Sequence, residues 1–331
     1  MKPKLKRIAE QVIVLTGASS GIGRATARLA AERGARLVLN SRDEADLAEA
    51  AEEIRKFGAA VATVTGDVAD PAGMRHLAEM AVDRFGRIDT WVNNAGVTIY
   101  GRIEEVPLED ARRLFETNYW GMVNGTLAAL PHLKQYGGAL INVGSVLSET
   151  GYPLQGHYVA SKHAVKGFTD SLRIELEYAD LPIAVTLIEP SAVDTPYAEH
   201  AQNYLGVVGK HVPPVYAPEV VARAILTCAE RPHRNVIVGG AKLFQSVEHA
   251  APRLGDWMKE KVALTGTYGD ERAEDTSTLY APRTGDARER GRHPGHVAKS
   301  SLYTATALHP VRALVAVAAV GAGAALLARR R

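Results

Sequence analysis

A single cysteine, Cys228, occurs in 331 residues, so no internal disulfide framework can form and a reducing compartment is indicated. It follows the largely apolar run Val220-Val221-Ala222-Arg223-Ala224-Ile225-Leu226 and is expected to be a small buried hydrophobe. Charge of one sign is also lacking. There are 39 lysines and arginines against 37 acids, a net charge of +2, which gives no reason to expect nucleic acid as a partner. No metal is expected. Lys2, Lys4, Lys6 and Arg7 make the N-terminus basic but lead straight into a strand pattern, and no signal peptide is expected. What is present is a chain 46% hydrophobic and 23% charged, the balance of a globular protein with a sizeable core.

Short apolar runs alternate with longer stretches of helical period from Val12 to Leu187. Val12-Ile13-Val14-Leu15 ends at a glycine turn, the mark of a strand buried on both faces. Similar runs lie at Leu37 to Leu39, Val61 to Thr65, Thr90 to Asn93, Ala139 to Val143, Ile183 to Ile188 and Val236 to Val238. Helical patterns fill the gaps, at Ile22 to Glu32, Glu44 to Phe57, Pro71 to Phe85, Leu108 to Leu133, Tyr158 to Tyr178 and Pro218 to Glu230. This alternation predicts an α/β fold, a doubly wound parallel sheet of Rossmann type with helices on both faces.

The composition changes after Leu264. Between Thr265 and Ser301 the only aliphatic residues larger than alanine are Leu279 and Val297, too little apolar surface to offset the ordering of the chain. The expected organisation is a catalytic domain over 1–264, a flexible polar linker over 265–310 and an apolar tail over 311–331. The tail is apolar from Ala313 to Ala328, flanked by Arg312 and Arg329 to Arg331. As a helix that stretch would be about 24 Å long, short of the roughly 30 Å hydrocarbon core. Membrane association, packing in a core or oligomer contact, and disorder all stay open for it. A cytoplasmic catalytic domain is expected, membrane-associated if this tail meets a lipid surface.

Thr16-Gly17-Ala18-Ser19-Ser20-Gly21-Ile22-Gly23 stands between the first strand and the first helix. Its glycines let the backbone turn tightly and approach a pyrophosphate, and the last lets helix and strand pack. The helix start offers free N–H groups and a positive dipole end to phosphates. The second strand ends Leu39-Asn40-Ser41-Arg42, where an NAD site usually places an acid on the ribose 2′-hydroxyl. A guanidinium at Arg42 and a hydroxyl at Ser41 suit the 2′-phosphate of NADP instead. Asp43 and Glu44 follow and are read as the first turn of the next helix. NADP(H) is therefore favoured over NAD(H).

Six motifs in order carry a family resemblance: Thr16 to Gly23, Gly66-Asp67-Val68, Asn93-Asn94-Ala95-Gly96, Asn118, Ser145, and Tyr158-Val159-Ala160-Ser161-Lys162. From about Ile8 to about Phe244 the chain resembles the short-chain dehydrogenase/reductase family. The residues support that chemistry themselves. Tyr158 and Lys162 are four apart on one helix face. A tyrosine of pKa about 10 is a poor base near neutrality, and a neighbouring ammonium is expected to lower that value. So tuned, Tyr158 could exchange a proton with a substrate oxygen as hydride moves, with Ser145 hydrogen-bonding the same oxygen. The resemblance implies that Lys162 also bonds the nicotinamide ribose and that Asn118 holds a water in a proton relay. It further implies that Asp67 and Val68 contact the adenine, Asn94, Ala95 and Gly96 the adenosine ribose, and Pro190 to Thr195, with Val193 among them, the nicotinamide.

One departure stands out. The family usually has Pro-Gly after the sixth strand, where this chain has Pro190-Ser191. If that position needs positive φ, serine costs more than glycine. The long connection from Pro190 to Ala217 carries Tyr197, Tyr204, Leu205, Val207, Val208, Val212 and Tyr216, apolar groups that suit either a lid over a lipophilic substrate or plain loop packing. The expected activity is hydride transfer between NADP(H) and a carbonyl or alcohol carbon of a small substrate. A nucleotide-binding sensor without turnover, and dehydration or epimerisation on the same fold, are the rivals. The resemblance also implies a homodimer or homotetramer, joined through the helices that carry Asn118 and Tyr158.

Overall fold

A computed structural model describes residues 3–240, 242–273 and 277–309; the apolar run 313–328 lies outside them. Seven parallel strands form the central sheet: β1 (Val12–Thr16), β2 (Arg36–Ser41), β3 (Val61–Thr65), β4 (Thr90–Asn93), β5 (Gly138–Val143), β6 (Ile183–Pro190) and β7 (Asn235–Val238), in the order β7-β6-β5-β4-β1-β2-β3. Each was expected from its apolar run, with ends shifted by at most two residues. Alternate side chains feed two cores. Ile13, Leu15, Leu37, Leu39 and Ile141 face one side of the sheet, and Val14, Val38 and Leu140 the other. Each fully buried aliphatic side chain contributes about 1.5–3 kcal/mol, so all five residues of β1 and all six of β5 are buried.

The first core is covered by α1 (Gly21–Glu32), α2 (Glu44–Arg55) and α7 (Pro218–Glu230). The second is covered by α3 (Pro71–Phe85), α5 (Gly121–Tyr136) and α6 (Gly156–Tyr178). Asp70 caps α3 ahead of Pro71, and Gly86 closes it in the left-handed conformation, the asymmetry favoured at helix ends. The stretch read as one helix from Leu108 is α4 (Leu108–Phe115) running through a π turn, Glu116–Trp120, into α5. Such turns often mark functional positions, and this one contains Asn118. Cys228 is fully buried in the first core, where burial pushes its thiol up to about 12.

The part after Leu264 departs from the expected flexible linker. Tyr268–Arg272 pairs antiparallel with Val207–Gly209, Val297–Ala298 pairs with Val215–Tyr216, and a short helix, Leu302–Leu308, places Leu308 in the first core. Between them, 277–291 lies over the carboxyl ends of the strands, with Leu279 only 1% exposed. Apolar content is low there, as read. The order comes from ion pairs and backbone hydrogen bonds to residues more than two hundred positions earlier, which no local pattern records. Among the described residues, no helix is long and apolar enough to cross a membrane.

Beneath the strand ends a closed polar chain joins sheet and helices. The indole of Trp91 donates to Asn93 Oδ1 at 2.7 Å, Asn93 donates to Thr126 and Asn142, and Asn142 donates to Thr169 Oγ1 at 2.9 Å. Asn142 is wholly buried. Replacing it with alanine removes two of these bonds and is expected to lower the unfolding free energy by about 1–3 kcal/mol. Chemical denaturation read by circular dichroism checks this, with the native spectrum unchanged.

Candidate active site

The sheet order reverses at β1 and β4, and ligands of open α/β sheets bind outside the strand ends at such a point. The β1–α1 turn is as tight as its glycines suggest. A Cβ on Gly23 would lie 1.9 Å from the Gly17 carbonyl oxygen, and one on Gly17, at φ +65°, 2.8 Å from Ala95 Cα. Asn94 staples the turn to β4 by donating to the carbonyls of Thr16 and Gly17, each at 3.0 Å. Ser19 and Ser41 hydroxyls meet at 2.9 Å and tie the turn to the end of β2. A shallow cradle of backbone at a helix N-terminus results, which fits the pyrophosphate of a dinucleotide.

A cavity of about 630 Å³ runs from this cradle to the end of β6. Nearly all the predicted site residues line it. Gly17, Ser19, Ser20, Gly21 and Ile22 form its floor, Ser41, Arg42, Asp67 and Val68 one end, and Asn94, Ala95 and Gly96 the middle. Ser145, Tyr158, Lys162, Pro190, Val193 and Thr195 form the other end. Gly23 and Asn118 stand behind the wall. Gly23 allows the turn to close, and Asn118 is 2% exposed with its amide committed to Val97 and Ser161. The side chain of Asn118 thus holds the backbone of Val97 in place.

Arg42 donates to the carbonyls of Thr278, Leu279 and Tyr280. Burial lowers its pKa, with Asp67 and Arg113 pulling in opposite directions. Arg113, on α4, ion-pairs with Asp67 and donates to the Leu279 carbonyl at 3.1 Å. The sequence reading missed Arg113, since an arginine on a polar helix face carries no signal of its own. Asp43 caps α2 and accepts from Asp46 N–H at 2.8 Å, so it belongs to the helix start, as read.

At the other end, Lys162 Nζ donates to the Val143 carbonyl at 2.9 Å and lies 5.7 Å from the Tyr158 ring centre. Burial pulls its pKa down to about 8. Tyr158 is moved up, opposite to the expectation. Burial dominates, and hydrogen bonds with Ser145 and Tyr197 oppose it only in part. The ammonium is directed at a backbone carbonyl rather than at the phenol oxygen, and burial sets the direction of the shift. Ser145 opens a short turn after β5, its Oγ accepting from Leu147 N–H at 3.1 Å. The strain considered for Ser191 does not arise. Among the described residues, the non-glycines with positive φ are Leu154 and Asp180. Ser191 instead faces Gly239, where a Cβ would lie 2.4 Å from its Oγ.

The wall beyond Tyr158 is largely apolar, with Val146, Leu147, Tyr152, Tyr197, Val212, Pro213, Met258 and Val262. Of the apolar and aromatic side chains singled out on the long connection, Tyr197 and Val212 line the cavity, and Tyr197 donates to the Val97 carbonyl at 2.9 Å. Tyr204 instead bonds Asp110 and Tyr216 packs into the first core. Two polar groups here were not foreseen. Lys259 is 8% exposed and paired with Glu248 at 2.7 Å. His211 has a buried Nε2 without a hydrogen-bond partner, and burial draws its pKa down to about 4.

Comparison with known proteins agrees with this geometry. The family profile of short chain dehydrogenase matches residues 11–204. The chain is 42% identical over 330 residues to the uncharacterised oxidoreductase YxnA of Bacillus subtilis, covering 98% of this chain and 92% of that protein. Among solved structures it is similar to the alcohol dehydrogenase of the archaeon Thermococcus sibiricus complexed with 5-hydroxy-NADP, at TM-score 0.61 and 28% identity, covering 69% of this chain and 95% of that one. It is similar too to a short-chain dehydrogenase/reductase of Burkholderia phymatum in complex with NAD, at TM-score 0.64 and 26% identity, covering 82% and 99%. The chain belongs to the short-chain dehydrogenase/reductase family and is an oxidoreductase of that family.

Proposed function

We propose that this protein reduces the carbonyl of a small lipophilic substrate with NADPH. The observation that carries the coenzyme choice is the pairing of the charges beneath Arg42. Asp67 is ion-paired with Arg113, while among the described residues Arg42 hydrogen-bonds backbone carbonyls only. Its positive charge is left for an anion, and a guanidinium suits the oxygens of a 2′-phosphate. The apolar wall beyond Tyr158 supports a lipophilic substrate. Exposed Trp120, Leu127, Ile174 and Tyr178, on the helices next to Asn118 and Tyr158, support a symmetric dimer.

The bound nicotinamide supplies the hydride, and this chain's residues handle the oxygen. Ser145 and Tyr158 hydrogen-bond the carbonyl oxygen, which orients the carbon and favours negative charge as it develops. Tyr158 then gives up its phenolic proton. A pKa raised by burial keeps the phenol protonated near neutrality, which suits the reductive direction. In the oxidative direction the same burial opposes the phenolate that must receive the alcohol proton. Lys162 holds a positive charge beneath this pair. Intact Asn118, Ser145, Tyr158 and Lys162 argue against a sensor without turnover.

Three outcomes are expected. With apolar ketones and aldehydes, NADPH consumption at 340 nm should fall by a factor of about 100–10,000 in Tyr158→Phe while NADPH affinity is retained; undiminished turnover would remove Tyr158 from the chemistry. In Arg42→Ala, the ratio of kcat/KM with NADPH to that with NADH should drop about 10- to 100-fold, and an unchanged ratio would sink the NADP reading. For pH, the folded-state pKa of Lys162 lies below its ordinary 10.5, so the ammonium is lost as pH rises through about 8. Reductive kcat/KM should therefore decline above about pH 8, and a profile flat to pH 10 would show that the charge is not used.

A further inference from the structure

The segment 277–291, which lies outside the part of the chain matched by the family profile, makes its contacts on the cofactor-binding surface itself. The Arg288 carbonyl accepts the Gly21 N–H at 3.0 Å, in the glycine turn. The carbonyls of Thr278, Leu279 and Tyr280 hold Arg42, and that of Leu279 also holds Arg113. Thr278, Pro282, Arg283 and Asp286 line the same cavity as Gly21, Arg42 and Asp67. The cavity therefore persists with the segment in place, and the segment is one of its walls.

Its anchors lie on both sides of the cleft. On the α1–α2 side, Glu289 pairs with Arg28 at 2.7 Å and Gly285 N–H donates to Asp46 at 2.8 Å. Across the cleft, Asp286 meets His200 of the long connection at 2.7 Å, and Arg290 meets Glu219, at the start of the helix packed beside α1, at 2.8 Å. Gly291 crosses against Thr195, where a Cβ would lie 2.7 Å from the Thr195 carbonyl oxygen. Nearly all these links are ionic or backbone bonds at partly exposed positions, and only Leu279 is buried apolar surface. A segment held this way opens at far less cost than the domain.

We propose that residues 277–291 form a clasp over the cofactor, completing the adenosine half of its pocket and presetting Arg42 and Arg113. The backbone carbonyls fix the two guanidiniums without cancelling their charge, and Arg283 adds a third cation to the cavity wall. The cofactor enters and leaves when the clasp lifts, so the clasp slows exchange of the cofactor. This rests on reading the cavity as a dinucleotide site.

The test uses the full chain and NADPH alone. Hydrogen exchange of the 277–291 amides should slow by about tenfold or more at saturating NADPH. In the double variant Glu289→Ala/Arg290→Ala, whose side chains do not line the cavity, stopped-flow fluorescence should show NADPH leaving about tenfold faster. The charge swap Arg28→Glu/Glu289→Arg should keep release slow. Exchange indifferent to NADPH, or release in the double variant within twofold of wild type, overturns the proposal. Running both measurements with NADH separates the two readings. Equal protection and equal affinity with NADH would refute the role given to Arg42 while leaving the clasp standing.

Discussion

Everything at the site depends on one close approach, that of the glycine turn to its own helix and to the end of β4. A Cβ at Gly23 would occupy the position of the Gly17 carbonyl, so the turn exists only with hydrogen at that position. Once it closes, the N-terminus of α1 points its first N–H groups over the sheet, and Asn94 locks the turn to the neighbouring strand. The cavity, the Ser19–Ser41 contact and the seat of Arg288 on the Gly21 N–H all follow from that placement. A dipole end and a set of backbone donors then face whatever anion lies there.

The two ends of the cavity solve opposite electrostatic problems. At the Arg42 end, charges are abundant and are sorted. Arg113 satisfies Asp67, and neutral carbonyls position Arg42. At the reacting end, charges are scarce and buried. Desolvation acts on Tyr158 and Lys162 in opposite directions, raising one and lowering the other, because it disfavours whichever form is charged. The simple expectation that the ammonium lowers the phenol underestimated burial, which a helical spacing of four residues does not reveal.

The buried strands and their alternation were legible because period and apolarity reflect where side chains must go. The candidate site stood out as an ordered group of motifs, and the structure brings Ser145, Tyr158 and Lys162 to one end of one cavity. Asn118 was a candidate from its motif, but the place of its side chain behind the wall was not legible. The π turn that carries it leaves the helical pattern almost intact, so periodicity reads straight through.

Sequence alone therefore determined the layered α/β architecture and the glycine turn, and it pointed to the side chains that meet in the cavity, because each rests on local geometry or on side-chain chemistry. Only the tertiary structure decided the course of the chain after Leu264. A polar segment with two larger aliphatic residues has no core of its own. It is ordered by Arg24, Arg28, Arg42 and Asp46, groups brought together by folding of the domain. The same holds for the partnership of Arg113 with Asp67, since ion pairs between distant positions become visible only when the sheet has placed their helices.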